Sequence, residues 1–341
     1  MPDRTDRRNR PVRYTSAMSG VLPRLATLVA VLCLAGCSVI SLDLTPRIRP
    51  LEEETVEGRG DAKIVLMDIS GLLSDEGSGQ LLTIGTPPAR VPLLVRVREE
   101  LTKAGEDDRV RALIVRVNSP GGTVTASDIV YRELMQFRDR TRRPIVAVMM
   151  DLAASGGYYI ALAADTIVAH PTTVTGSIGT VMVSFDAQGL MQKIGLSART
   201  IKSAEHKDMG SPFRQLTDEE RAIFQGVIDD LNRQFVTKVA ARRRLPEDRA
   251  RALADGRIYT AEQARAQGLI DRVGYMSDAV ALARRAAGVE EARVVVYKRP
   301  REYRATYYAR AEAPAGALET SLSGLAALGA TGPRFLYLWW P

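Results

Sequence analysis

The sequence predicts an α/β fold, a parallel sheet with crossover helices, and two observations predict it. Short apolar runs rich in Val and Ile, at 62–69, 112–117 and 144–150, read as buried strands. Between them, 93–101 and 127–137 have helical spacing, and strands alternating with helices imply a parallel sheet.

The elements follow in chain order, beginning with an export signature. Arg24 precedes the apolar stretch 25–34, which is too short for a typical transmembrane helix and suits a secretory signal. The stretch ends in Leu34-Ala-Gly-Cys37, which resembles a bacterial lipobox, so Cys37 is expected to carry lipid and to open the mature chain. Five arginines precede Met18, long for such a segment, and a start at Met18 would leave Arg24 as its charge. Ser38 fits the pattern for outer-membrane delivery, and the choice of leaflet stays open. Residues 38–60, with Pro46, Pro50 and Glu52-Glu-Glu54, read as a tether, and 61–300 as a single domain. Within it, 62–69 is a strand and 71–90, rich in Gly, Ser and Pro, a loop. After 144–150 a helix is expected from Tyr158 to Ala164, then a short strand at 166–169. Thr217 caps a long amphipathic helix with Ile223, Phe224, Val227, Ile228, Leu231, Phe235 and Val239 on its apolar face, suited to core and subunit packing. Asp255-Gly-Arg-Ile-Tyr-Thr260 then leads into Glu262-Gln-Ala-Arg-Ala-Gln-Gly-Leu-Ile-Asp271. Residues 301–341 form a tail with an aromatic end, Phe335-Leu-Tyr-Leu-Trp-Trp340. Such an end needs cover from its own domain, a neighbouring subunit or a membrane interface.

Composition narrows the function. Residues 1–36 hold six Arg and two Asp, so more than half of the formal +7 charge belongs to the export segment. The basic balance is therefore no argument for nucleic acid. Cys33 would leave with the signal and Cys37 would be lipidated, so the mature chain holds no free thiol for a disulfide, a metal or a nucleophile. No metal or organic cofactor is suggested.

The chemistry-bearing residue is Ser155, in Ala154-Ser-Gly-Gly-Tyr-Tyr159. It stands where a buried strand meets a helix N-terminus, whose amides and dipole stabilise negative charge. The bland alternative is an N-cap. A serine nucleophile also needs a base. His170 reads as a strand-end residue and His206 lies in a polar stretch, so neither is recommended by its surroundings, although counting alone does not exclude a triad. Lysine can serve when desolvation lowers its pKa, and spacing alone does not choose between Lys202 and Lys207. Gly121 and Gly122 read equally as a plain turn, and Ser177 as a turn residue.

Four motifs in order now carry a resemblance: Asn118-Ser-Pro-Gly-Gly122, Ala154-Ser-Gly-Gly-Tyr-Tyr159, Thr175-Gly-Ser-Ile-Gly179 and Ile201-Lys-Ser-Ala-Glu-His-Lys-Asp208. Over roughly 62–300 the chain resembles signal peptide peptidase A, in its short form with one catalytic repeat. The resemblance implies a Clp protease/crotonase-like superhelix of β-β-α units, with a C-terminal helical region for assembly. It implies Ser155 as nucleophile, Lys207 as base, Ser177 supporting that lysine, and the amides of Gly122 and Gly156 as oxyanion donors. It further implies a lipid-tethered, homo-oligomeric endopeptidase with sites shared between subunits, acting on apolar peptides at the bacterial cell envelope. The competing readings are a crotonase-like acyl-thioester enzyme and a lipid-anchored scaffold. The first usually needs an acidic residue at the reacting carbon; the second is not favoured by an intact Ser-Lys pair.

Overall fold

The computed structural model describes residues 50–74, 91–300, 306, 308 and 334–339. The export segment with Cys37, most of the 71–90 loop, most of 301–333 and the last two residues lie outside them.

Nine strands form the main sheet. Its path runs β1 (Glu52–Glu57), β11 (Arg293–Lys298), β2 (Lys63–Ser70), β3 (Val110–Ser119), β5 (Ile145–Ala154), β6 (Thr166–Ala169) and β10 (Arg272–Val273). From β11 to β10 every pairing on this path is parallel, as expected. β7 (Val174–Gly176) pairs with the far end of β5 and with β9 (Ile258–Thr260). The central strands are buried on both faces because their alternating side chains feed two cores. Ile64, Leu66, Ile114 and Val148 face one core, and Val65, Met67, Val115 and Met149 the other.

Helices cover both faces. In chain order they are α1 (Leu93–Glu106), α2 (Val124–Thr141), α3 (Gly156–Ala161), α4 (Gln188–Lys193), α5 (Asp218–Arg243), α6 (Glu247–Ala252), α7 (Ala261–Ala266) and α8 (Met276–Ala287). α8 packs on the first core through Met276, Ala279, Val280 and Ala283. On the other face α1, α2, α3 and α5 contribute, among others, Leu101, Phe137, Tyr158 and Phe235. α5 opens with the expected capping box, Thr217 accepting from Glu220 N–H while the Glu220 carboxylate accepts from Thr217 N–H. Its C-terminal half is core, whereas Ile223 and Val227 nearer its start stay exposed.

One segment differs from expectation, and a second takes one of the three covers expected for it. Residues 52–57, inside the expected tether, form an edge strand antiparallel to β11. Its acidic side chains are answered by lysines, Glu53 by Lys63 (2.7 Å) and Glu54 by Lys298 (2.6 Å). At the other end, β12 (Arg334–Leu338) docks on the chain's own domain. It lies antiparallel between β4 (Gly121–Thr123) and β8 (Val181–Val183) in a separate three-stranded sheet.

Candidate active site

β5 ends at Ala154, and the next residue turns sharply. Ser155 has φ +51° and ψ −113°, a conformation that costs a non-glycine residue of order 1–3 kcal/mol. Two backbone bonds hold it: Ser155 N–H donates to Gly176 O (2.7 Å), and Ser155 O accepts from Tyr159 N–H (2.9 Å). α3 begins at Gly156, so Ser155 occupies the N-cap position, yet its side chain makes no capping bond. Ser155 is 1% exposed, and its buried Oγ has no hydrogen-bond partner. Capping is therefore not what this side chain does. A buried hydroxyl left unpaired costs about 1–3 kcal/mol, so its persistence asks for a reason outside stability. The helix itself starts two residues earlier than Tyr158 and ends at Ala161. Beyond it Ala163 and Ala164 bond back only three residues, to Ile160 and Ala161, which tightens the chain out of α-geometry.

β4 meets this junction through its glycines. Leu73 N–H donates to Gly121 O, and Thr123 N–H donates to Leu73 O, both at 2.8 Å. Successive residues of a strand direct their polar groups to opposite edges, so the N–H and C=O of Gly122 face away from Leu73. Gly121 has φ +103°, and a Cβ there would lie 2.8 Å from Gly156 N. A Cβ on Gly122 would lie 1.9 Å from Leu73 O. Ser119 shapes the turn, its Oγ accepting from Gly121 N–H (3.0 Å) and donating to Gly71 O (2.6 Å). The sequence offers Gly121 only as a turn residue and Ser119 only as part of its motif, with no separate role for either. The signal that could have found Gly121 is the doubled glycine itself, since one glycine suffices for a turn.

Ser177 joins the same neighbourhood. Gly176 stands opposite Ala154 in the β5–β7 ladder, and Ser177 follows it with φ +49°, its N–H donating to Arg257 O (2.8 Å). Ser155, Ser177, Gly156 and the β4 glycines are thus gathered at one end of the sheet.

The lysines lie on the segment between β8 and α5. Lys202 donates to Glu205 O (2.6 Å) and pairs with Asp208 (2.8 Å). Arg214 also pairs with Asp208 and bridges it to Glu220 on α5. Hydrogen bonds from Arg214 and then Lys202 hold the Asp208 carboxyl far below the usual range, and Arg214 holds Glu220 at about 2. This network ties the 3₁₀ helix Glu205–Asp208, which carries Lys207, to the start of α5. Lys202 is engaged there, which leaves Lys207 as the better candidate base. Because Ser155 Oγ has no partner, Lys207 Nζ does not bond to it within one chain. The histidines are occupied too. His170 packs edge-on against Tyr275 (4.9 Å), and His206 Nε2 lies 3.6 Å from Glu219. Among the described residues no group of three or more His, Cys, Asp or Glu is placed to hold a metal ion, and no helix is long and apolar enough to cross a membrane.

Comparisons with known proteins bear on this geometry. Residues 138–290 match the model of peptidase family S49. A protein of Enterococcus faecium provisionally named signal peptide peptidase SppA is 34% identical over 247 residues, which span 72% of this chain and 70% of that protein. The chloroplastic serine protease SPPA of Arabidopsis thaliana is 36% identical over 67% of this chain and 33% of that protein. A mutant ClpP1 of Listeria monocytogenes superposes with a TM-score of 0.40 at 15% identity, covering 63% of this chain and 94% of that one.

Proposed function

This chain belongs to peptidase family S49 and is a serine peptidase of the signal peptide peptidase A type; from that premise we propose a membrane-tethered endopeptidase working through a Ser155–Lys207 dyad. Its substrates would be leftover signal peptides and other apolar, unfolded segments. The observation that carries the assignment of Ser155 is its buried, unpaired Oγ on a strained turn, beside Gly156 and the β4 glycines.

The mechanism is acyl transfer. Ser155 Oγ attacks the peptide carbonyl carbon while neutral Lys207 takes its proton. The oxyanion is received by the amides of Gly122 and Gly156, and removing one such donor typically costs about 10²–10³ in rate. The C–N bond breaks as Lys207 returns the proton to the leaving amine. A water then gives a proton to the same lysine, attacks the acyl-enzyme and frees Ser155. A lysine base must be neutral, so activity is expected to rise from pH 6 towards pH 9. Ser177 would support Lys207.

The dyad would form between subunits. Two observations support this reading: Ser155 Oγ lacks a partner inside its own chain, and the segment bearing Lys207 exposes Leu190, Ile194, Leu196 and Ile201 to solvent. Apolar surface on that scale suits burial by another copy. A lipid on Cys37 would hold the assembly at the envelope membrane.

The test is hydrolysis of a fluorogenic apolar peptide by the full-length protein in detergent, beside Ser155→Ala and Lys207→Ala. Both variants should be inactive while still assembled. An active Lys207→Ala protein would move the base to another residue, and an inert but assembled wild type would overturn the peptidase assignment of this site.

A further inference from the structure

β4 is three residues long, yet it carries one of the two amides proposed to receive the oxyanion. A strand so short takes its position from whatever grips it. The chain leaving β2 runs along one of its edges. Gly71 N–H donates to Asn118 O (3.0 Å), and Leu73 bonds both to Gly121 O and to Thr123 N–H. Residues 71–73 thus form a rail beside the strand.

The Ser119 hydroxyl is the clip between rail and strand. Ser119 ends β3 and is fully buried. Its Oγ donates to Gly71 O (2.6 Å) and accepts from Gly121 N–H (3.0 Å). Pro120, between them, has no N–H to offer, and Gly121 turns at φ +103°. One side-chain oxygen therefore sets the angle at which the chain enters Gly121-Gly122.

The main chain of the same residue reaches the other donor. Ser119 stands opposite Ala153 in the β3–β5 ladder, two residues before Ser155. A Cβ built on Gly157 would lie 2.7 Å from Ser119 O and 3.4 Å from Ser119 Cβ. The first turn of α3, which supplies the Gly156 amide, is thus packed directly on Ser119. With its side chain holding β4 and its main chain against α3, this residue spans the interval between the two amides.

We propose that Ser119 is a positioning residue for the oxyanion hole, its hydroxyl fixing the separation of the Gly122 and Gly156 amides without touching substrate. The role rests on the peptidase reading of the site. Oxyanion donors are effective only about 2.7–3.1 Å from the developing charge. Without the hydroxyl, the buried Gly121 N–H loses that acceptor and the entry to β4 relaxes. A bound peptide in its ground state is little affected, whereas the tetrahedral state loses a well-placed donor.

The experiment compares full-length wild type and Ser119→Ala in detergent, with the fluorogenic apolar peptide as substrate. The variant should lose about 10- to 100-fold in kcat, the range for a donor misplaced by up to an ångström, with KM changed less than twofold. Its rise in activity from pH 6 towards pH 9 should keep the wild-type midpoint, because no titrating group is altered. A peptide aldehyde of the same sequence adds to Ser155 Oγ and puts its former carbonyl oxygen in the hole. Its inhibition constant should weaken by the same factor as kcat, while that of the corresponding alcohol, which cannot add, stays within twofold. Hydrogen exchange, read on peptides covering 119–123, should quicken in the variant at an unchanged exchange rate for β2. An active wild type with a Ser119→Ala protein of equal kcat would overturn the positioning role alone. So would losses shared equally by aldehyde and alcohol, or a variant that does not fold, since the hydroxyl would then serve the general fold. An inert but assembled wild type would sink the peptidase reading, and this role with it.

Discussion

The two halves of the proposed dyad lie in unlike surroundings. Ser155 sits on a turn fixed by β5, β7 and α3, with buried backbone bonds on both sides and core beneath it. Lys207 sits on a short 3₁₀ helix in a segment with little buried apolar surface, tied down by the Asp208–Arg214–Glu220 ion pairs. The nucleophile's strain and orphaned hydroxyl persist because the packed sheet around it over-determines the turn. The lysine half has no such surplus and leaves Ile194, Leu196 and Ile201 in water. The turn bearing Ser155 is fixed within one chain, whereas the segment bearing the proposed base carries exposed apolar side chains.

The largest effect breaks the comparison at its centre. Ser155→Ala and Lys207→Ala should each lower kcat/KM by about 10³-fold or more, the range seen when a nucleophile or its base is removed. If the halves meet across subunits, an equal mixture of the two dead proteins, dissociated and reassembled, should regain about one quarter of wild-type activity, since one site in four pairs intact partners. A mixture that stays inactive would place both groups in one chain.

The next effect probes the finished half. Gly121→Ala puts a Cβ against Gly156 N on a residue at φ +103°. The strain is of order 1–3 kcal/mol, and displacement of an oxyanion donor should lower kcat by about 10²-fold. Circular dichroism should show the fold intact, because the main sheet is not touched. On the unfinished half, Ile194→Asp together with Ile201→Asp should leave the monomer's melting temperature nearly unchanged. The pair should weaken assembly, read by sedimentation, with activity falling in step. Unchanged assembly would direct the subunit contact elsewhere.

Legibility in the sequence follows the same division. The parallel sheet could be read because its central strands are buried on both faces and so appear as unbroken runs such as Ile64–Met67 and Ile145–Met149. The surroundings of Ser155 could be read because strand, serine and two glycines are adjacent in sequence. β1 was hidden, since Glu52-Glu-Glu54 reads as solvated charge until Lys63 and Lys298 arrive from distant strands. β4 and β8 are three residues each, too short for any periodicity to register. The aromatic tail announced that it needed cover. That the cover is the pocket between Tyr159 and Phe235 depends on contacts between residues more than one hundred positions apart, which no local pattern encodes.

The smallest effect is a difference in acid tolerance. Asp208 and Glu220 have folded pKa values held below the ordinary carboxylate range, chiefly by hydrogen bonds from Arg214. A depressed carboxyl contributes stability that is complete above its unfolded pKa, near 4, and lost as pH falls through the folded value. For Glu220 that value is about 2. The Arg214–Glu220 pair should therefore be complete at pH 5 and above, weaken below pH 4 and be largely lost near pH 2, while the Asp208 pairs, held lower still, outlast it. Arg214→Ala removes the partner, so wild type and variant should differ modestly in melting temperature at pH 6, and the gap should narrow as the pH approaches 2. Around Ser155 the turn is held by backbone amide bonds, which do not titrate in this range. Limited proteolysis with pepsin, mapped by mass spectrometry between pH 4 and pH 2, should accordingly open 202–214 before it reaches 150–162. Simultaneous opening of both segments would mean that the base half is held by its packing and not by its charges.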